Sequence, residues 1–275
     1  MHSPDIHILA AGTALPGPPI DNATLARLLG MPTVWERWID AFIGTDKRHF
    51  AVDLATGERH HTLTDLGEQA GARAMAAAGV EPAQIDLIVM GTSSPDMLMP
   101  ATVNLIADRL GINDIPTYQL QSGCSGALQA LDVAHQMLQS GRRRTALVIG
   151  ADSCAKHLDV TVDMAKIPPA EQVNAVLFGD GAGAVVLSAD PRPDSVVLRR
   201  VSARLTGLNR PPARSSSGTA PPSATPSSPR PWRTTRPSRS PSPSWPPRPC
   251  RSSWRTWTGR TTRSTTSCRP SCPAR

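Results

Sequence analysis

The chain has 275 residues and a formal net charge of +7 at pH 7. The charge is unevenly spread, because residues 1–208 carry a balance of −6 whereas residues 209–275 hold 13 Arg and no acidic residue. The second segment also holds 15 Pro, 15 Ser and 10 Thr, without any Val, Ile, Leu, Met or Phe, which excludes a packed core there. We therefore expect a globular unit over residues 1–208 and a disordered Pro/Ser/Thr/Arg-rich tail over residues 209–275.

Several broad classes of protein do not fit the rest of the sequence. No apolar run approaches the roughly 18 residues that cross a bilayer, and the first ten residues lack the pattern of a signal peptide. The five cysteines form no CxxC pair, and no His/Cys cluster typical of zinc is visible, so no metal site is expected. No bound cofactor is expected either. An odd number of widely spaced cysteines does not indicate a secreted disulfide framework, so the sequence predicts a reduced, cytoplasmic protein.

Hydrophobic patterning predicts strands that alternate with helices. The expected strands are 6–13, 85–91, 118–120, 145–150, 174–178, 182–188 and 195–205. The expected helices are 22–30, 34–43, 63–79, 101–110 and 125–139. This alternation predicts one α/β unit with a largely parallel sheet that helices cover on both faces.

The most informative segment is QSGCSGAL, residues 121–128, in which Cys124 follows a strand and opens a helix. The free N–H groups at a helix N-terminus favour a thiolate over a thiol, and the small neighbours leave room for a carbonyl substrate. This arrangement is typical of a nucleophile for acyl transfer. A small buried core cysteine is the competing interpretation.

Four motifs along the chain resemble the β-ketoacyl-acyl carrier protein synthase III family of the thiolase superfamily. Two of them are the cysteine segment around Cys124 and Trp38-Ile39, which is followed by Gly44 and Arg48. The other two are the run from Gly91 to Thr102 and the glycine-rich segment LFGDGAGAVVL, residues 177–187. Order and spacing agree over about residues 5–205.

The resemblance implies a layered αβαβα thiolase-like fold, of which this chain would hold the N-terminal half, and a homodimer. It implies a condensing acyltransferase of fatty-acid or polyketide priming, in which Cys124 takes an acyl group from acyl-CoA. A carbanion from malonyl-acyl carrier protein then attacks that group, so CoA and carrier-protein phosphopantetheine act as substrates. The resemblance places Trp38 and Arg48 at the substrate-binding side.

The sequence departs from the family pattern at two places. Phe42 stands where the family has the basic partner of the tryptophan, which puts CoA binding through that pair in doubt. The family also uses a His and an Asn from its second half, and the sequence has neither beyond Asn209. We hypothesise that the reading frame shifts near residues 205–212, so that the coding DNA read in another frame encodes an α/β half with these residues.

Other interpretations remain open at this point. The same cysteine could acylate a hydroxyl or amine acceptor, or the chain could be a non-catalytic fragment whose basic tail binds nucleic acid. The segment from Gly179 to Gly183 is interpreted as a hairpin between two strands rather than a nucleotide loop. Cys154 is interpreted as a structural or lining residue, and His135 as a surface residue.

Overall fold

The computed structural model describes residues 3–203. The predicted tail, its disorder, the domain boundary at residue 208 and the proposed frame shift all lie outside the described residues. Within them, no helix combines the length and the apolar character that crossing a membrane requires.

Six strands form one sheet and two short strands form a separate ribbon in the described part. The sheet contains β1 (His7–Ala14), β4 (Leu87–Gly91), β5 (Thr117–Leu120), β6 (Thr145–Asp152), β7 (Gly181–Ser188) and β8 (Val196–Val197). The ribbon pairs β2 (Ile20–Asp21) with β3 (Lys47–Arg48).

The helices lie between these strands along the chain. They are α1 (Asn22–Leu28), α2 (Thr33–Phe42), α3 (Leu63–Ala78), α4 (Thr102–Arg109), α5 (Gly126–Gln139) and α6 (Pro169–Leu177). Local sequence explains α3 well: Thr62 and Asp65 form a capping box at its start, and Gly79 ends it in the left-handed conformation at φ 57°. The five helices expected from the sequence are confirmed within a few residues.

The sheet separates two apolar layers, because successive strand residues face opposite sides. On β4, Ile88 and Met90 pack with α3 and α4, whereas Leu87 and Val89 pack with α5. A third apolar cluster joins α1 and α2 to the segment after β6. The expectation of helices on both faces of the sheet is confirmed.

The expectation of a largely parallel sheet is wrong. The strand order is β5-β4-β6-β7-β1-β8, in which β4 is parallel to β5 and β6, while β7 is antiparallel to β6 and β1. Strand β8 is also antiparallel to β1. The alternation of elements does not encode this order, because it cannot show that β7 returns between β6 and the first strand of the chain.

Two predicted strands also differ from the structure. Residues 174–178 belong largely to the end of α6, so the segment from Gly179 to Gly183 joins a helix to β7 and is not a hairpin. Of the strand expected over 195–205, the described residues up to 203 contain only Val196–Val197. The apolar run before Gly179 is compatible with either state, and only tertiary packing selects the helix.

Candidate active site

Cys124 lies where β5 gives way to α5, as the sequence predicted. It occupies a short 3-10 turn, Gly123–Ser125, and α5 begins at Gly126. Gly123 makes the turn possible with φ 63°, a conformation that costs other residues energy. The Cys124 side chain is exposed rather than buried in the core, which removes the competing interpretation of a core cysteine.

Small residues allow the start of α5 to lie directly on the sheet. A Cβ on Gly91 would come within 2.3 Å of the backbone carbonyl carbon and oxygen of Gly126. A Cβ on Gly150 would come within 2.6 Å of the Ala127 Cβ. Because these contacts leave no space for a side chain, the two strand glycines fix how closely Cys124 approaches the ends of β4 and β6.

A cavity of about 400 Å³ surrounds Cys124. Its walls come from the ends of four neighbouring strands and from the first turn of α5, and they combine backbone with a few side chains. Among the lining side chains are those of Thr13, Leu15, Ala127 and Asp152. The cysteine therefore faces a space large enough for a small acyl group.

A second cavity, of about 440 Å³, lies beside the segment after β6 and has mainly apolar walls. Cys154 lines this cavity, together with Phe50, Leu158, Met164 and Phe178. Burial, reinforced by the negative charges of Asp152 and Asp180, raises the pKa of the Cys154 thiol to about 11. Cys154 is therefore a neutral thiol at pH 7 and a lining residue, as the sequence suggested.

A buried carboxylate joins the glycine-rich segment to two other parts of the chain. Asp180 accepts hydrogen bonds from the backbone N–H of Ala51 at 2.7 Å and of Ala155 at 3.0 Å. Its own backbone N–H donates to the carbonyl of His49 at 2.8 Å. The glycine-rich segment therefore has a structural role, although it is not the hairpin that the sequence predicted.

The sequence did not reveal the polar network at the ends of β4 and β6. Asp152 accepts hydrogen bonds from Thr92, Ser93 and Ser94, which follow β4. Lys156 donates to the carbonyls of Ser94 and Pro95. Serine and threonine are common in loops, so no local signal distinguishes these residues; strand pairing alone brings them next to Asp152.

Trp38 and Arg48, the two expected substrate-side residues, do not line the cavity of Cys124. Trp38 is half-buried on α2, and its ring centroid lies 6.4 Å from that of Phe42. Arg48 is 4% exposed and donates through Nη2 to the Asn22 side chain at 2.8 Å and to the Thr45 carbonyl at 3.2 Å. The Nε and Nη1 atoms of Arg48 have no partner in the described structure.

His135 is not the surface residue that the sequence suggested. It is buried on α5, and its Nε2 lies 3.0 Å from the carbonyl oxygen of Leu198. A hydrogen bond at this distance attaches the helix to the segment that follows β8. His135 therefore contributes to the fold.

Comparison with known proteins identifies relatives of this chain. The family model for 3-oxoacyl-[acyl-carrier-protein] synthase III matches residues 118–203, which include Cys124. The β-ketoacyl-[acyl-carrier-protein] synthase III of Rhodospirillum rubrum is 40% identical over 185 residues, or 67% of this chain and 52% of that protein. The chain thus spans about half the length of the curated relatives it matches.

Solved structures extend the comparison to the fold. The tetronic acid condensing enzyme AbyA1 superposes with a TM-score of 0.71 and 57% identity, covering 75% of this chain and 61% of that one. A priming β-ketosynthase of a polyketide biosynthetic pathway superposes with a TM-score of 0.57 and 27% identity, covering 68% and 51%. The described residues have a thiolase-like fold, and the chain belongs to the β-ketoacyl-acyl carrier protein synthase III family.

Proposed function

We propose that Cys124 is the acyl-accepting nucleophile of a ketoacyl synthase III-type condensing enzyme. The observation that carries this proposal is the placement of an exposed cysteine at the start of α5, inside a cavity built from the ends of four strands. The sulfur of Cys124 attacks the carbonyl carbon of an acyl thioester and forms a new thioester. The bond to the donor sulfur breaks, and the donor leaves as a free thiol.

The complete reaction adds a condensation step. The acyl group on Cys124 is attacked by a carbanion that forms when a malonyl thioester on acyl carrier protein loses carbon dioxide. Cys124 leaves as the thiolate, and a new carbon–carbon bond replaces its thioester bond. In the family, the His and Asn that stabilise the enolate come from the second half, which this chain does not match. We therefore assign only the acylation step to the described residues.

Relatives favour a polyketide setting for this chemistry. Identity to the tetronic acid condensing enzyme is 57% over three-quarters of the chain, against 40% to the curated synthase III of Rhodospirillum rubrum. We infer that the chain acts in polyketide assembly. Its thioester substrates would be carried on acyl-CoA and on acyl carrier protein. A cytoplasmic location belongs to the proposal, because a cysteine nucleophile must stay reduced.

Trp38 and Arg48 remain part of the proposal as residues of the substrate side. Phe42, 76% exposed beside Trp38, replaces a cation with an aromatic ring. This exchange weakens any attraction for the phosphates of CoA and favours a thioester carried on protein. Arg48 is 4% exposed, so it would support the substrate side by holding Asn22 and Thr45 in place rather than by touching the substrate.

A homodimer, the usual state implied by the family, is also proposed. The side chains of Leu98 and Met99, which are 90% and 86% exposed, support this proposal. Because these two residues are adjacent, they could form part of a contiguous apolar contact surface. Sedimentation of the purified chain at several concentrations would test this part separately.

The acylation step can be tested directly by mass spectrometry. The full chain is incubated with acetyl-CoA, or with an acetylated carrier protein, and the cysteine-containing peptides are identified. We expect an acetyl group on Cys124 that disappears in Cys124→Ala and persists in the matched variant Cys154→Ala. Failure to acylate Cys124 with either donor, or equal labelling of all cysteines, would overturn the proposal.

A further inference from the structure

The turn that follows β4 lies close to Gly126, the first residue of α5. It consists of Thr92, Ser93 and Ser94, and it continues Gly91, which lies against the start of α5. Thr92 and Ser94 are buried. A displacement of this turn would therefore move Gly91, which lines the cavity of Cys124.

One oxygen atom of Asp152 accepts hydrogen bonds from all three residues of the turn. Oδ1 of Asp152 accepts from the hydroxyl of Thr92 at 3.3 Å, from the backbone N–H of Ser93 at 2.7 Å and from the hydroxyl of Ser94 at 2.7 Å. The backbone N–H of Ser94 in turn donates to the Thr92 hydroxyl at 3.1 Å. Asp152 ends β6, and it also lines the cavity that contains Cys124.

The same hydrogen-bond network includes Ser153 and Lys156, which follow β6. The Ser94 hydroxyl accepts from the backbone N–H of Ser153 at 2.8 Å, so donor and acceptor sites of this hydroxyl are both used. Beyond it, Lys156 donates to the carbonyl of Pro95 at 2.8 Å and lies 3.6 Å from Asp96. Lys156, which also donates to the Ser94 carbonyl, fixes the outer part of the loop, whereas Asp152 is the side chain that binds Thr92 and Ser93.

We propose that Asp152 is a positioning residue for acylation of Cys124, acting through the Thr92–Ser94 turn. The role depends on the acceptor at Oδ1 and not on the negative charge, because all three hydrogen bonds converge on that atom. The turn then holds Gly91, which lines the cavity and lies against the start of α5, so that Cys124 is kept in a fixed position for the acyl carbonyl. Loss of such alignment slows a reaction step without weakening the binding of the substrate in proportion.

This inference rests on the proposed function, and variants of the full chain separate the two. Asparagine at position 152 retains Oδ1, so Asp152→Asn should acylate Cys124 within about threefold of the wild-type rate. Asp152→Ala should reduce the maximal acylation rate by about tenfold or more, with a similar half-saturating concentration of acetyl-CoA. Ser94→Ala, which removes one donor, should also slow acylation, to a smaller extent.

The matched control is Asp53→Ala. Asp53 also accepts two backbone hydrogen bonds through one oxygen, from Ala55 and Thr56, but it lies in an exposed turn and does not line the cavity. This variant should acylate at the wild-type rate. Time courses followed by intact mass spectrometry give the rate and the final acylated fraction separately.

Several results would overturn the inference. A purely structural role predicts that Asp152→Ala lowers the final acylated fraction while the remaining folded molecules react at the wild-type rate. A role of the charge predicts that Asp152→Asn is as slow as Asp152→Ala. Should Asp152→Ala fail to fold by circular dichroism, a wild-type rate in Ser94→Ala would overturn it. Absence of acylation in the wild-type chain would overturn the proposed function as well.

Discussion

The ammonium nitrogen of Lys156 lies 3.6 Å from Oδ1 of Asp96, and both side chains are more than nine-tenths buried. Asp96 also accepts hydrogen bonds from the backbone N–H groups of Leu63 and Thr64 and from the Thr64 hydroxyl. The pair thus attaches the loop after β4 to the start of α3 on one side and to the segment after β6 on the other.

Removing the lysine should destabilise the fold strongly. Lys156→Met leaves the Asp96 carboxylate buried without its cation and two carbonyl groups without a donor, so we expect a loss of about 3–5 kcal/mol in the free energy of unfolding. Urea denaturation followed by circular dichroism measures it. The matched control is Lys166→Met, since its pair with Asp163 is exposed and should contribute at most about 1 kcal/mol. Similar losses in both variants would contradict this prediction.

Acid should abolish the contribution of Asp96 to the free energy of unfolding. Burial alone would raise the pKa of this carboxyl, but hydrogen bonds from Thr64 and Leu63 and the charge of Lys156 outweigh it and hold the pKa below its ordinary value. The carboxylate therefore stabilises the fold above about pH 4, and this contribution is lost as the pH falls through the lowered pKa. Asp96→Asn should be less stable than wild type at pH 7, and the gap should narrow below about pH 4 in urea titrations. A gap independent of pH would refute this assignment.

The contact between α5 and the sheet should not tolerate a methyl group on β4. Gly91→Ala places a Cβ within 2.3 Å of Gly126 backbone atoms, so α5 must move away, at a cost of about 1–3 kcal/mol or more. Thermal unfolding should show a lower midpoint, and acylation of Cys124 should slow because the cysteine turn moves with the helix. Gly183→Ala is the stability control, since a Cβ there meets nothing within 4 Å. Equal midpoints in the two variants would be inconsistent with the packing described.

Cys154 should react only at high pH. Its pKa is raised to about 11, first by burial and then by the charges of Asp152 and Asp180. The thiolate fraction, and with it the rate of alkylation by iodoacetamide, should rise about tenfold for each pH unit from pH 7 to pH 10. Peptide mapping of Cys154 at a series of pH values measures this rate. A rate that levels off below pH 9 would show that the pKa of the Cys154 thiol lies well below about 11.

The sequence was sufficient where local chemistry decides the structure. The Ala-rich run with Thr62 before it and Gly79 after it predicts α3 without any tertiary information. The QSGCSGAL segment likewise predicts the turn that carries Cys124. In both cases the residues that determine the conformation are neighbours along the chain.

Long-range contacts decide the parts that could not be predicted. Gln172 on α6 accepts a hydrogen bond from the indole of Trp35, 137 residues away, and donates to the carbonyls of Met164 and Ile167. These contacts favour a helix where the apolar residues alone suggested a strand. Asp152 and Ser94 are 58 residues apart, so their contact appears only once β4 and β6 are paired.

The pairing of β1 with β7 has a consequence for synthesis of the protein. His7 is opposite Ser188, so the first strand of the chain has no partner on that side until nearly 190 residues have been made. Strands β4, β5 and β6 can already pair with each other while β1 is still without its β7 partner. Closing so long a loop is slow, and the exposed edge is prone to aggregation in the interval. The yield of folded protein should therefore depend on chaperones that protect the amino-terminal segment during translation.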